Sequence, residues 1–124
     1  MKILLVDDDA FLRDMYAAKF ISSGYEVDTA DSSGAALAKF QGGASYDLLL
    51  LDMVMPGTTG VELLALVKEQ FADRIKYAIF LSNQGQDEDI REATEAGAVG
   101  YIIKAHSIPS EVVKKVEEIV ANNK

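Results

Sequence analysis

Short apolar runs alternate with longer amphipathic stretches along the whole chain. An apolar run of four to six residues predicts a buried strand, whereas strict alternation of apolar and polar residues predicts a half-exposed edge strand. The second run alternates in this way, so we expect it at an edge of the sheet. The five predicted strands are Ile3–Val6, Tyr25–Ala30, Leu48–Leu51, Tyr77–Leu81 and Val99–Ile103.

A stretch with helical spacing follows each predicted strand. Glycine at positions 24, 42, 43 and 97 and proline at position 109 mark helix ends and starts. The five predicted helices are Ala10–Ile21, a helix capped by Ser32 or Ser33 and running to Phe40, Val61–Phe71, a weaker Asp87–Ala96, and Pro109–Val120. The candidates for the inner face of the third helix are Val61, Leu64, Leu66 and Val67. The first helix carries Phe11, Leu12, Met15, Ala18 and Ile21 at helical spacing, and the last has an apolar stripe of Val112, Val113, Val116, Ile119 and Val120.

The strand–helix unit therefore occurs five times in succession. Helical crossovers between strands predict an α/β fold, a doubly wound five-stranded parallel sheet with helices on both faces. At 124 residues, the chain is expected to form a single domain over positions 1–124. In such sheets, functional sites lie beyond the carboxyl ends of the strands.

Composition narrows the range of functions. The net charge of −8 argues against direct binding to nucleic acid or to an anionic membrane surface. The absence of cysteine excludes disulfides, thiolate metal sites and cysteine nucleophiles. The apolar start is too short for a signal peptide, and no stretch has the length of a membrane span, so we expect a soluble, cytoplasmic protein.

Polar residues stand at the ends of four of the predicted strands. Asp7 and Asp8 follow the first strand, Asp52 the third, Ser82 the fourth and Lys104 the fifth. Because parallel strands share one direction, these side chains should meet at one edge of the sheet. Clustered carboxylates either take up protons or bind a cation, and an all-oxygen set suits Mg²⁺, with Mn²⁺ as a possible substitute.

A divalent ion, a lysine and a hydroxyl together are suited to holding a phosphoryl group. Aspartate can act as a nucleophile and form an acyl phosphate. Asp52 is the best candidate because it stands alone on a central strand, which leaves the Asp7–Asp8 pair for the metal.

These motifs closely resemble the receiver domain of two-component response regulators, over essentially the whole chain. The resemblance implies the flavodoxin-like strand order 2-1-3-4-5. Each motif is weak alone, but their order and spacing together are specific. The matching segments are Val6-Asp7-Asp8, Leu51-Asp52-Met53-Val54-Met55-Pro56-Gly57 with Gly60, Leu81-Ser82, and Tyr101-Ile102-Ile103-Lys104.

The resemblance implies that Asp52 accepts a phosphoryl group from a phosphohistidine of a sensor histidine kinase or a histidine phosphotransfer protein. Asp8 and Asp52 would ligate Mg²⁺ directly, Asp7 through water, and Val54 through its backbone carbonyl. The remaining roles concern the switch. Lys104 would pair with Asp52 before transfer and with the phosphoryl oxygens afterwards, and Ser82 would bind the phosphoryl group. Tyr101 would then turn inward. This would change the surface of the fourth helix, fifth strand and fifth helix, to which a downstream protein target binds.

Two positions depart from the family pattern. Asn83 stands where the family usually has a small residue, so it is expected to modulate transfer or hydrolysis of the phosphoryl group. Ala105 stands where the family usually has a proline, often preceded by a cis bond. Because a cis bond before a residue other than proline costs about 2.5–4 kcal/mol, we predict a trans Lys104–Ala105 bond and a shifted loop.

Several alternatives stay open at this point. Tyr101 could equally be a core aromatic residue with a packing role alone. The chain could be a relay intermediate, a phosphorylation-independent pseudo-receiver, or a segment of a longer protein. A phosphatase of the haloacid-dehalogenase type fits the first motif only loosely, because Phe11 replaces its usual threonine or valine and the chain has no room for a cap domain. We therefore expect a signalling module whose only chemistry is its own phosphorylation and dephosphorylation, not an enzyme.

Overall fold

The computed structural model describes residues 1–124 and contains five strands and five helices in alternation. Short 3-10 turns at Ala72–Arg74 and Lys104–His106 complete the chain. The strands are β1 Lys2–Val6, β2 Glu26–Ala30, β3 Tyr46–Leu51, β4 Ile75–Ser82 and β5 Gly100–Ile103, and the helices are α1 Ala10–Ser22, α2 Ser33–Gln41, α3 Gly60–Gln70, α4 Asp87–Glu95 and α5 Pro109–Asn122.

All strands pair in parallel in the order β2-β1-β3-β4-β5, which confirms the predicted fold class and strand order. Val6 aligns with Leu51, Leu51 with Phe80, and Phe80 with Tyr101. β1 and β3 end at this level, whereas β4 and β5 continue for two more residues, to Ser82 and Ile103. Asp7, Asp52, Ser82 and Lys104 therefore all lie at the carboxyl edge of the sheet. None of the helices is long and apolar enough to cross a membrane.

The sheet is buried on both faces because alternate residues of its central strands enter two separate cores. On β3, Leu49 and Leu51 pack with α2 and α3, whereas Leu48 and Leu50 pack with α1 and α5. All four leucines have no exposed surface. Burying one such side chain contributes about 1.5–3 kcal/mol. Continuous apolar strands are thus explained by two-sided burial, as the sequence predicted.

The apolar positions that have helical spacing in α1 form its inner face only in part. Phe11 is 75% exposed and Ile21 is 56% exposed, whereas Phe20 is fully buried. Apolar residues occur on nearly every side of this helix, so two stripes have helical spacing and periodicity alone does not choose between them. Ala18 is also exposed, and the observed buried set is Tyr16, Ala17 and Phe20, with Leu12 and Met15 partly buried against the same core.

The other helices agree more closely with the sequence pattern. In α3, Leu64 and Val67 are buried as predicted, Leu63 is buried as well, and Val61 and Leu66 are only partly buried. The stripe of α5 is confirmed, with Ile119 partly exposed. The fourth helix forms as predicted but buries Ala93 alone, which makes it the helix with the smallest share of the core.

Candidate functional site

The carboxyl edge of the sheet brings Asp7, Asp52, Ser82 and Lys104 into direct contact. The Lys104 Nζ lies 2.6 Å from Asp7 Oδ2 and 2.8 Å from Asp52 Oδ2. The Ser82 hydroxyl donates to Asp52 Oδ1 at 2.7 Å. Ser82 is the last residue of β4 and pairs with Ile103, so the strand register places Ser82 beside the residue that precedes Lys104.

Lys104 is held as a buried cation between two carboxylates. Its side chain is only 6% exposed. Burial lowers its pKa, but the hydrogen bonds to Asp52 and Asp7 outweigh burial, so the pKa lies above the ordinary lysine value. The ammonium group therefore stays charged at neutral pH and screens the two carboxylates from each other.

Asp52 has donors on both of its carboxylate oxygens. Oδ1 accepts from the Ser82 hydroxyl and, at 3.2 Å, from the backbone N–H of Val54, while Oδ2 accepts from Lys104. The residue is 8% exposed. Donors on both sides fix the orientation of the carboxylate and leave a narrow opening to solvent.

Three carboxylates at this edge form a set that could hold a cation. Ligand oxygens of Asp7, Asp8 and Asp52 lie within 4.8 Å of one another. Asp7 is buried, with Oδ1 accepting from the Asp9 N–H at 3.0 Å and Oδ2 from Lys104. Asp8 is exposed and its carboxylate has no partner within the protein. Three negative charges and one lysine leave a formal charge of −2 at the site, which a divalent ion would neutralise.

The donor chemistry of this edge fits Mg²⁺. All available ligands are oxygens, and the exposed Asp8 leaves room for the coordinated water that Mg²⁺ retains. The backbone carbonyl of Val54 accepts no hydrogen bond within the protein and lies in the loop whose N–H contacts Asp52. This carbonyl is therefore free to serve as a further ligand.

Replacing Asp8 by asparagine should stabilise the protein when no divalent ion is present. The change removes an unpaired negative charge from a crowded acidic cluster, so we expect the free energy of unfolding to rise by about 1 kcal/mol. With saturating Mg²⁺ we expect the order to reverse, because the change removes one of the three carboxylates that could hold the ion. Thermal unfolding with and without Mg²⁺ measures both effects, and an unchanged or lower stability without the ion would contradict this view of the cluster.

The loop after Ser82 links the site to Tyr101. The Ser82 Oγ accepts from the Gln84 N–H at 3.3 Å, and the Tyr101 hydroxyl donates to the Gln84 carbonyl. The Tyr101 ring stacks on Phe80, with ring centroids 6.1 Å apart. Burial raises the pKa of the Tyr101 phenol. Tyr101 is thus partly a packing residue, and its motion during switching remains a prediction.

Asn83 and Ala105, the two positions that depart from the family pattern, lie in the segments that follow β4 and β5, beside the site. Asn83 is exposed and makes no hydrogen bond with Asp52 or Lys104, so its effect on the phosphoryl group remains a prediction. The Lys104–Ala105 bond is trans, as predicted, and the protein contains no cis peptide bond. Ala105 lies in the 3-10 turn Lys104–His106 that leads from the site into α5.

Two features of the site were not foreseen from the sequence. The first is the second ion pair of Lys104, to Asp7, which converts an expected pair into a bridge. The second is the contribution of Arg13, whose Nη1 donates to the backbone carbonyl of Asp7 at 3.0 Å. A basic residue about one turn into the helix that follows the acidic motif is the only sequence signal for this contact.

The chain is similar in sequence and structure to known response regulators. The family model for the response regulator receiver domain matches residues 3–117. The transcriptional regulatory protein ResD of Bacillus subtilis is 38% identical over 119 residues, covering 96% of this chain and 48% of ResD. The chain therefore spans about half the length of such curated relatives.

Solved structures give the same result. The chemotaxis response regulator CheY4 of Vibrio cholerae superposes with a TM-score of 0.86 at 31% identity, covering 95% of this chain and 97% of CheY4. The response regulator TrrA of Thermotoga maritima, in complex with Mg²⁺ and BeF, gives a TM-score of 0.79 at 32% identity, covering 95% of this chain and 97% of TrrA. With its five-stranded sheet in the order 2-1-3-4-5 and a family match over nearly all of its length, the chain belongs to the response regulator receiver domain family of two-component signalling.

Proposed function

We propose that this receiver domain accepts a phosphoryl group on Asp52 from a phosphohistidine of a sensor histidine kinase or histidine phosphotransfer protein. The observation that carries the proposal is the setting of Asp52, a nearly buried carboxylate held between the Ser82 hydroxyl and the Lys104 ammonium. The exchange would take place in the cytoplasm, the compartment expected from the sequence.

The proposed reaction is a displacement at phosphorus. One Asp52 carboxylate oxygen forms a bond to phosphorus, the bond between phosphorus and the histidine nitrogen breaks, and the released imidazole nitrogen keeps the electron pair and takes a proton from water. Lys104 and Ser82 already contact Asp52 and are placed to bind the oxygens of the transferred group. Asp7, Asp8, Asp52 and the Val54 carbonyl would hold Mg²⁺, which supplies positive charge against the phosphoryl oxygens.

The same contacts suggest how phosphorylation of Asp52 changes the conformation of a distant surface of the protein. If Ser82 gives up its bond to Asp52 in favour of a phosphoryl oxygen, the loop through Gln84 moves with it, and Tyr101 is bonded to that loop. The weakly anchored α4 lies directly after this loop. The proposed readout is therefore the surface of α4, β5 and α5, on which a downstream protein target binds.

Beryllofluoride binding tests this function, because it mimics an aspartyl phosphate without a covalent bond. The related TrrA was solved with Mg²⁺ and BeF, which supports the choice of probe. With Mg²⁺ present, we expect beryllofluoride to shift the amide NMR signals of Ser82, Gln84 and Tyr101 and of α4. Shifts confined to the acidic cluster would argue for an acceptor site without a switch.

Absence of any shift in a folded protein that still binds Mg²⁺ would favour a phosphorylation-independent pseudo-receiver. The lifetime of the phosphoryl group separates the two remaining roles. Retention over minutes would favour a switch, whereas rapid loss to a histidine phosphotransfer protein would favour a relay intermediate.

A further inference from the structure

Ser33 is a buried polar residue for which the receiver chemistry described above has no use. It is the first residue of α2 and only 3% exposed. Its hydroxyl donates to the backbone carbonyl of Thr58 at 3.1 Å, across 25 positions of sequence. Thr58 lies in the loop between Asp52 and α3, so this bond joins a helix on one side of the site to the loop that continues from the acceptor.

The helix itself does not need this hydroxyl. Ser32 already caps α2 through its side chain, which accepts from the Ala35 N–H at 3.1 Å. We therefore attribute the presence of a buried hydroxyl at position 33 to its hydrogen bond with the loop.

The loop of residues 53–59 has few other attachments, and its backbone is bonded to the start of α3 through the Gly60 N–H, which donates to the Met53 carbonyl at 2.9 Å. Met53 and Met55 are buried against the core and hold its first half, whereas Pro56 and Gly57 are exposed and Gly57 has a φ of 82°. Side-chain hydrogen bonds to the loop come from Asp52, from the Thr59–Glu62 capping box and from Ser33. Ser33 is the one among them that belongs neither to the loop, nor to its two flanking elements.

We propose that Ser33 is a positioning residue for the metal site, and that it acts by fixing the second half of the 53–59 loop at Thr58, which limits the movement of the Val54 carbonyl in the first half. The inference rests on the proposed function, because it assumes that this carbonyl ligates Mg²⁺. A loop held in place before binding loses less conformational freedom when the ion arrives. Groups that orient metal ligands typically contribute 10–100-fold to metal affinity.

Ser33→Ala tests the proposal, with Mg²⁺ alone as the probe and affinity measured by NMR titration. We expect Mg²⁺ to bind roughly tenfold more weakly than to the wild type. Tyr46→Phe is the matched control. Tyr46 is also buried, and its hydroxyl donates to Asp28 Oδ2 at 2.8 Å away from the carboxyl edge, so its loss should lower stability and leave Mg²⁺ affinity unchanged.

The possible outcomes distinguish the role of Ser33 from the proposed function of the protein. Equal Mg²⁺ affinity in Ser33→Ala and wild type, with stability lowered as in the control, would overturn the role of Ser33 and leave the proposed function intact. Failure of the wild type to bind Mg²⁺ would overturn the proposed function itself. If Ser33→Ala does not fold, Ser33→Cys keeps the size and weakens the donor, and the same affinity comparison decides the question.

Discussion

Replacing Lys104 by methionine should lower the free energy of unfolding at neutral pH by about 3–5 kcal/mol, because removing one partner of a buried ion pair leaves uncompensated charge. Lys104 is the cation that contacts both Asp7 and Asp52, at 2.6 and 2.8 Å. Methionine has similar length and fills the same space, so the loss would report on charge rather than on packing. Chemical denaturation at neutral pH without Mg²⁺ measures the effect.

Mg²⁺ should reduce this loss of stability, because the ion would supply the positive charge that the variant lacks. Lys76→Met is the control, because Lys76 forms an exposed ion pair with Asp47 at 3.5 Å. Exposed pairs contribute about 0–1 kcal/mol. A loss in Lys104→Met no larger than in this control would contradict the buried-bridge interpretation.

The free energy of unfolding of the wild type should also depend on the charge of Lys104 at high pH. The pKa of folded Lys104 lies above the ordinary value of 10.5, because the hydrogen bonds to Asp52 and Asp7 outweigh burial. A raised pKa means that the contribution is complete below pH 10.5 and is lost as pH rises through the folded value. The wild type should therefore approach the stability of Lys104→Met only in strong alkali.

Replacing Asp52 by asparagine should abolish phosphoryl acceptance altogether. The amide cannot form the acyl phosphate, and neither Asp7 nor Asp8 is equivalent to Asp52. Asp52 contacts both Lys104 and the Ser82 hydroxyl, whereas Asp7 contacts Lys104 without Ser82 and the exposed Asp8 contacts neither. Incubation with acetyl phosphate and Mg²⁺, followed by intact mass spectrometry, measures the result.

Asp47→Asn is the matched control for this variant. Asp47 lies on the same strand β3 but toward its amino end, where it accepts from the Lys2 N–H at 2.8 Å. We expect this control to accept a phosphoryl group as the wild type does. Acceptance by Asp52→Asn at a comparable level would show that another residue is the acceptor.

Much of the fold could be predicted because burial on both faces of the sheet leaves continuous apolar strands in the sequence. The runs at Leu48–Leu51 and Tyr77–Leu81 lie within β3 and β4, although β4 begins earlier, at Ile75, and includes Ser82. The inner face of α1 could not be chosen, since apolar residues surround that helix and only packing against α5 and the sheet selects Phe20 over Phe11.

The members of the site could be predicted for a different reason. Parallel strands make sequence positions far apart end at one edge, so Asp52 and Lys104 follow from topology. The bridge of Lys104 to Asp7 and the bond of Ser33 to Thr58 could not be predicted in this way. Both depend on side-chain directions and loop paths, which periodicity does not encode.

The measurement that tests the central claim most directly is the identification of the residue that carries the phosphoryl group. The wild type would be incubated with acetyl phosphate and Mg²⁺, digested, and its peptides analysed by mass spectrometry with and without hydroxylamine, which cleaves acyl phosphates. We expect one modification, on the peptide containing Asp52, dependent on Mg²⁺ and removed by hydroxylamine. A folded, Mg²⁺-bound protein that acquires no phosphoryl group, or acquires it on another residue, would contradict the assignment of Asp52 as the acceptor.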